Sequence, residues 1–225
     1  MIKVIYVIVF IVAGIIGGNG AVYVFNRLPA KWLSDYGEEP KEDVLQRQRI
    51  NSTPWKALFS CILVLTGVYL STIDPLYAAA AVIVAFLLIL ISIADAKYMI
   101  VPDEICIALA VCACGFVRYH GEPLDIMWGG LAGAGIMLLI AYIGKLVYKR
   151  DAMGMGDVKL MCAVGLMVGL RGVIYVFIGA SVFSAMAFGI LLLRKRIKKD
   201  DYQPMGPYIA CACLVYILVF WPLQW

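Results

Sequence analysis

Charge is what this sequence has least of. Only 15% of its 225 residues are Asp, Glu, Lys or Arg, where a water-soluble domain carries roughly a quarter. The apolar set makes up 64%, and the mean hydropathy is +0.92. So little polar surface cannot cover a soluble globule. Histidine is almost missing too. His120 stands alone, which excludes a zinc-protease site built on several imidazoles and leaves Ser181 and Ser184 with no base to activate them. The seven cysteines (Cys61, Cys106, Cys112, Cys114, Cys162, Cys211 and Cys213) all fall inside apolar runs, and no loop holds a C-x-x-C pair. They read as small buried hydrophobes. Residues two apart do not share a helix face, so Cys112/Cys114 and Cys211/Cys213 are not metal pairs. The net charge of +4 comes from basic residues scattered through short loops, so nucleic acid is not an expected partner.

What the sequence has is apolar length. Runs free of Asp, Glu, Lys and Arg cover 4–26, 57–73, 75–94, 105–117, 126–144, 160–170, 172–193 and 202–225. A spanning helix needs about 20 mostly apolar residues. The chain therefore reads as an all-α, polytopic membrane protein of about eight transmembrane helices, one domain over 1–225. The first run is read as a spanning helix rather than a signal peptide, because seven more candidates follow it. Two runs, 105–117 and 160–170, are too short to span unaided. To reach full length they must take in Asp103 and Glu104, or Asp157 and Lys159. Acids at membrane depth are costly and mark functional sites.

Basic residues set the orientation. With both termini outside, the inner segments collect Arg27, Lys31, Lys41, Arg47, Arg49, Lys56, Lys97, Lys145, Lys149, Arg150, Lys159, Arg194, Lys195, Arg196, Lys198 and Lys199, which is 16 of the 19; only Lys3, Arg118 and Arg171 fall outside. The one sizeable polar segment, about 27–56 between the first two helices, is cytoplasmic in this topology. It is a small lid or an irregular loop.

The same topology brings two acidic clusters to the cytoplasmic side. Asp95 ends the third helix, in Ala94-Asp95-Ala96-Lys97-Tyr98-Met99-Ile100-Val101-Pro102-Asp103, and Asp157 begins the sixth, in Gly154-Met155-Gly156-Asp157-Val158-Lys159. Two carboxylates at one depth can share a proton, one activating water as general base while the other protonates the leaving group. Helix dipoles suggest a division of labour. Asp157 at a helix N-terminus is favoured as the anion, and Asp95 at a C-terminus as the proton carrier. Gly154 and Gly156 would let backbone approach backbone before the acid. Taken alone, G-x-G-D is also compatible with a flexible turn leading into a helix. Asp103, after Pro102, reads as an N-cap, and Asp151 as part of a solvated loop. A proton-coupled transporter could also use two membrane acids, but no inverted repeat with broken helices is visible.

These residues resemble the type IV prepilin peptidases, the G-x-G-D aspartic proteases of the membrane. That family has an aspartate at a helix end ahead of an Ile-Pro-Asp-like loop, matched by Asp95 and Val101-Pro102-Asp103, and a G-x-G-D-x-K motif, matched by Gly154, Gly156, Asp157 and Lys159. Its Arg-Leu-Pro is matched by Arg27-Leu28-Pro29, although Gly18-Asn19-Gly20 is only a loose match to its Gly-Ser-Phe-x-Asn. Its Phe-Gly-Pro-aromatic-Leu-Ala is similar to Met205-Gly206-Pro207-Tyr208-Ile209-Ala210. The archaeal preflagellin peptidases and, more distantly, presenilin-type proteases are also similar. The resemblance implies Asp95 and Asp157 as the catalytic pair, with Lys97, Pro102, Asp103, Gly154, Gly156, Lys159, Gly206 and Pro207 as supporting residues. It implies cleavage of prepilin or pseudopilin leaders at the cytoplasmic face of the cell membrane. Many members hold zinc with two C-x-x-C pairs in the first inner loop. Residues 27–56 contain no cysteine, so zinc is not expected. Many members also N-methylate the product with S-adenosylmethionine; if this chain does so, the cofactor should bind near that loop, and changes there should spare cleavage.

Reporter fusions should place segments 27–56, 145–156 and 194–201 in the cytoplasm and both termini outside. A cytoplasmic C-terminus would contradict the count of eight.

Overall fold

In a computed structural model of the chain, residues 2–34, 39–149, 154–195 and 203–222 are described. Helix α1 (Ile2–Arg27) buries one stripe, Phe10, Gly14, Gly18, Ala21, Val22 and Phe25, at the three- and four-residue spacing of a helix face. The stripe packs on α3 (Trp55–Ser71), whose own stripe is Phe59, Leu63, Thr66, Gly67 and Leu70. Around the rest of α1, large side chains such as Ile8, Val12 and Ile16 are exposed, as a lipid-facing surface would be. Between the two helices lie a 3₁₀ turn (Ala30–Leu33) and the one-turn α2 (Glu42–Leu45).

Helix α4 (Pro75–Tyr98) is the centre of the bundle. It is buried on nearly every side, from Tyr77 to Asp95, and touches α1, α3, α5 and α8. Asp74 caps its start, accepting the Leu76 N–H at 2.7 Å and the Tyr77 N–H at 3.1 Å. Helix α5 (Asp103–Cys112) continues as a 3₁₀ stretch, Ala113–Tyr119; this is the expected short run at 105–117. Helices α6 (Leu124–Tyr148), α7 (Met155–Leu193) and α8 (Gly206–Val215), the last extended by a π turn to Phe220, complete the chain. Four of the helices (α1, α4, α6 and α7) are long and apolar enough to cross a membrane, with shorter apolar helices at 55–71 and 206–220. The chain is thus an all-α membrane protein. Of the basic residues used to orient it, Arg150, Arg196, Lys198 and Lys199 lie outside the described residues, as does Asp151.

Helix α7 is two helices. At Gly169 the backbone takes φ 74°, ψ −178°, a conformation open to glycine because it has no Cβ. The chain doubles back there. A Cβ on Gly133 of α6 would sit 2.3 Å from Met161 O and 3.2 Å from Val173 Cγ2. Twelve residues of straight helix would separate those two by about 18 Å, so they can share one neighbour only if the helix folds on itself. The sequence places this boundary at Arg171; the structure moves it two residues back, where the backbone rather than the charge dictates the turn.

The first half of α7 lies against α6 in close backbone contact at two glycines. A Cβ on Gly165 would fall 2.2 Å from Gly129 O, and one on Gly129 would fall 2.2 Å from Gly165 O. Lipid gives helices no hydrophobic reason to associate, so close backbone approach is what holds such a pair. Gly165→Ala or Gly133→Ala should therefore lower thermal stability in detergent by about 1–3 kcal/mol, as overpacking does. Gly135, where an added Cβ meets nothing within 4 Å, is the control. Its change to Ala should be neutral or stabilising, and equal losses at all three positions would refute the close approach.

Candidate active site

Where α4 ends, Met99 adopts a left-handed conformation (φ 56°) and its N–H returns to Asp95 O at 2.8 Å. This turns the chain into Ile100-Val101-Pro102 and then α5. Asp95 is therefore in the last full turn of α4, 5% exposed. Asp157 is in the first turn of α7, its N–H bonded to Gly154 O at 3.2 Å. The two acids line one cavity of about 570 Å³, together with Pro102, Asp103, Glu104, Gly154, Met155, Gly156 and Lys159.

Asp95 also meets the start of α8, the helix expected within 202–225, in a contact that spacing does not reveal. The Gly206 N–H at the start of α8 donates to Asp95 Oδ2 at 2.6 Å. A Cβ at Gly206 would lie 2.8 Å from that oxygen and 3.1 Å from Asp95 Cγ, so only glycine lets the amide reach the carboxylate. The dipole contrast drawn from the sequence thus counts one of the two helices that Asp95 meets: it lies at the C-terminal end of α4 and also at the N-terminal end of α8. Pro207, the next residue, occupies the first turn of α8, where its missing N–H costs nothing.

Several supporting residues do other work than the sequence suggested. Asp103 is not a side-chain cap: α5 begins at Asp103 itself, Pro102 takes the cap position and no side chain caps the helix. The Asp103 carboxylate instead takes the Lys159 ammonium at 2.8 Å on both oxygens, tying α5 to the Asp157 turn. Gly156 is pressed against Val101, which a Cβ would approach to 2.9 Å, so its close neighbour is the Val101 side chain. Gly154 has open space, its nearest neighbour being Asp157 Oδ2 at 3.9 Å from an added Cβ.

Lys97 lies away from the cavity. Its ammonium donates to the Arg49 carbonyl and lies over the Tyr98 ring at 5.2 Å. Arg49 is the anchor of the first loop. The residue is buried, and its guanidinium donates to the carbonyls of Val44 (2.8 Å), Phe25 (3.1 Å) and Leu28 (2.7 Å). Burial draws its pKa below the usual arginine value, and the three carbonyl dipoles stand in for lost water. Asn26 completes the latch, its Oδ1 accepting the Arg49 N–H at 2.7 Å and the Ile50 N–H at 2.9 Å. Nothing in the sequence marked Asn26 or Arg49 beyond their polarity near an apolar end.

Held this way, the first loop is a wall of the site. Lys31, Trp32, Ser34 and Glu39 line the cavity that contains both aspartates.

Residues 82–190 match the model of the type IV leader peptidase family. The prepilin leader peptidase/N-methyltransferase of Aeromonas salmonicida (strain A449) is 29% identical over 142 residues, 62% of this chain and 48% of that protein. That of Bacillus subtilis (strain 168) is 27% identical over 141 residues, 61% of this chain and 54% of that protein. Leader peptidase HopD of Salmonella typhimurium is 30% identical over 130 residues, 55% of this chain and 82% of that protein. The matched region spans about half the length of the prepilin leader peptidase/N-methyltransferases. No solved structure matches significantly. Shared motifs, an all-α membrane architecture and a relative matched over most of its length lead to one assignment: this chain belongs to the type IV leader peptidase family.

Proposed function

We propose that this chain is a membrane aspartic endopeptidase that removes the leader from type IV prepilin-like and pseudopilin precursors, with Asp95 and Asp157 as its dyad. The observation that carries this reading is that the two acids, 62 residues apart in sequence, line one cavity at the ends of two bundle helices. The cytoplasmic placement of that cavity rests on the basic residues of the flanking segments. A substrate chain would enter extended, its scissile carbonyl between the carboxylates. One carboxylate takes a proton from the attacking water while the other gives its proton to the carbonyl oxygen; as the resulting diol collapses, the first passes its proton to the leaving amine and the second takes one back from a diol hydroxyl. The pair titrates as one unit, since two close carboxylates cannot both hold full charge. The Gly206 N–H fixes the Asp95 carboxylate. That of Asp157 is set by where its helix stands.

The Aeromonas relatives carry N-methyltransferase in their name and HopD does not. Methylation of the new N-terminus would require S-adenosylmethionine, and the mass of the processed product with and without that cofactor decides whether it belongs to this chain. Chelation should leave cleavage intact.

Asp95→Asn and Asp157→Asn should each abolish leader cleavage while the protein still folds in the membrane. The amide keeps the packing but can neither accept the water proton nor hold the shared one. Each loss should be about 100- to 10,000-fold, and the double variant little worse than either single one, because the two act as a unit. Asp103→Asn should be milder, since it weakens the tie to Lys159 and leaves both members of the dyad in place. Near-normal cleavage by Asp95→Asn would overturn the dyad and make Asp103 the next partner for Asp157.

Because Trp32 lines the cavity, Trp32→Ala should raise KM about tenfold, the equivalent of 1.4 kcal/mol of lost contact, with kcat less affected. An unchanged KM, measured on a synthetic leader peptide, would take the first loop out of the substrate cleft.

A further inference from the structure

At the opposite end of the bundle from the aspartates, the doubled-back α7 leaves backbone groups that neither of its halves can satisfy. A helix that stops at Val168 and restarts at Leu170 has open carbonyls before the turn and open N–H groups after it. Two side chains, His120 from the α5–α6 connection and Asp125 from the first turn of α6, take one of each. His120 Nε2 lies 2.9 Å from the Met167 carbonyl oxygen, and Asp125 Oδ1 accepts the Leu170 N–H at 3.2 Å. The two side chains are joined to each other, His120 Nδ1 lying 3.1 Å from Asp125 Oδ2. The His120 side chain is 5% exposed, and its ring packs against Trp221 with centroids 5.0 Å apart. A Cβ on Gly169 would fall 2.1 Å from Asp125 Oδ2 and 2.8 Å from His120 Cε1. The joint closes directly over the turn.

We propose that His120 and Asp125 are positioning residues for Asp157, locking the tip of the α7 hairpin so that its first half holds that carboxylate opposite Asp95. The proposal rests on the dyad reading above. The half-helix from Asp157 to Gly169 is held at two places. Near the cavity, Lys159 is bound to Asp103 and Gly156 is seated on Val101; at the tip, the grip is the His120–Asp125 joint. Between them the contact with α6 combines close glycine backbones with the Leu166 side chain seated at Gly130, packing without directional bonds, so the two bonded ends fix the tilt of the half-helix. The arm from Gly169 to Asp157 is about 18 Å long, so a tilt of about 5° at the tip moves the acid by about 1.5 Å. A misplacement of about 1 Å is enough to cost about 100-fold in rate.

The test uses the full chain in proteoliposomes. His120→Ala and Asp125→Leu should each lower kcat about 100-fold while KM changes little, since the cavity walls that bind substrate remain. Asp125→Asn should retain most of the turnover. Its Oδ1 still accepts the Leu170 N–H, and its amide donates to His120 Nδ1 while the ring donates from Nε2 to Met167. Spin labels at Ala96 and Met155, in a background freed of native cysteines, report the separation of α4 from α7. That distance should shift or broaden in His120→Ala and Asp125→Leu and keep its wild-type value in Asp125→Asn. Unchanged kcat in Asp125→Leu, or an Asp125→Asn variant as impaired as Asp125→Leu, would overturn the proposal. Failure of both His120→Ala and Asp125→Leu to fold would make the joint a stability element and overturn it equally. A wild-type chain that cleaves no leader would sink the dyad reading alone, and the label distances would still decide the joint.

Discussion

A helix end out of reach of water leaves open N–H or C=O groups, each expensive unless something in the protein meets it. This constraint organises the molecule. The end of α1 is met by the Arg49 guanidinium, and the start of α4 by Asp74. His120 and Asp125 meet the two sides of the Gly169 turn, and Asp95 meets the start of α8. The candidate active site is a special case of the same device. The carboxylate that takes the first N–H of α8 is one of the two that the site presents to its cavity.

Because polar groups are spent on helix ends, little but shape remains to hold the helices together. The bundle meets this with small residues at crossings. Gly14 and Gly18 bring α1 onto Ser60 and Val64, and Gly129 and Gly165 bring α6 onto the first half of α7. Such contacts bring backbones close but add no directional bonds. That is why the few directional bonds at the ends, Lys159 with Asp103 and His120 with Asp125, matter for where the aspartates stand.

Membrane character, the short runs at 105–117 and 160–170, and the pairing of Asp95 with Asp157 as candidates were all legible in the sequence. Apolar run length and a charge at membrane depth are local quantities that need no coordinates. The expected cap at Asp103 fails because its signal is local too. A proline followed by an acid is a good local signal for a cap, but Lys159 is 56 residues away and wins the carboxylate by charge. Charge puts the turn in α7 at Arg171, whereas the backbone breaks at Gly169, a residue that carries no hydropathy signal.

Where helices could lie and which acids were too costly to be incidental follow from residue order alone, since both reflect the transfer of side chains out of water. Tertiary structure alone decided which groups meet: that Gly206 reaches Asp95, that the first loop becomes a wall of the cavity through Arg49 and Asn26, and that a lone histidine closes the α7 hairpin. Each of these joins residues at least 20 apart in the chain through hydrogen bonds. Such bonds depend on distance and direction in space, which hydropathy and spacing do not encode.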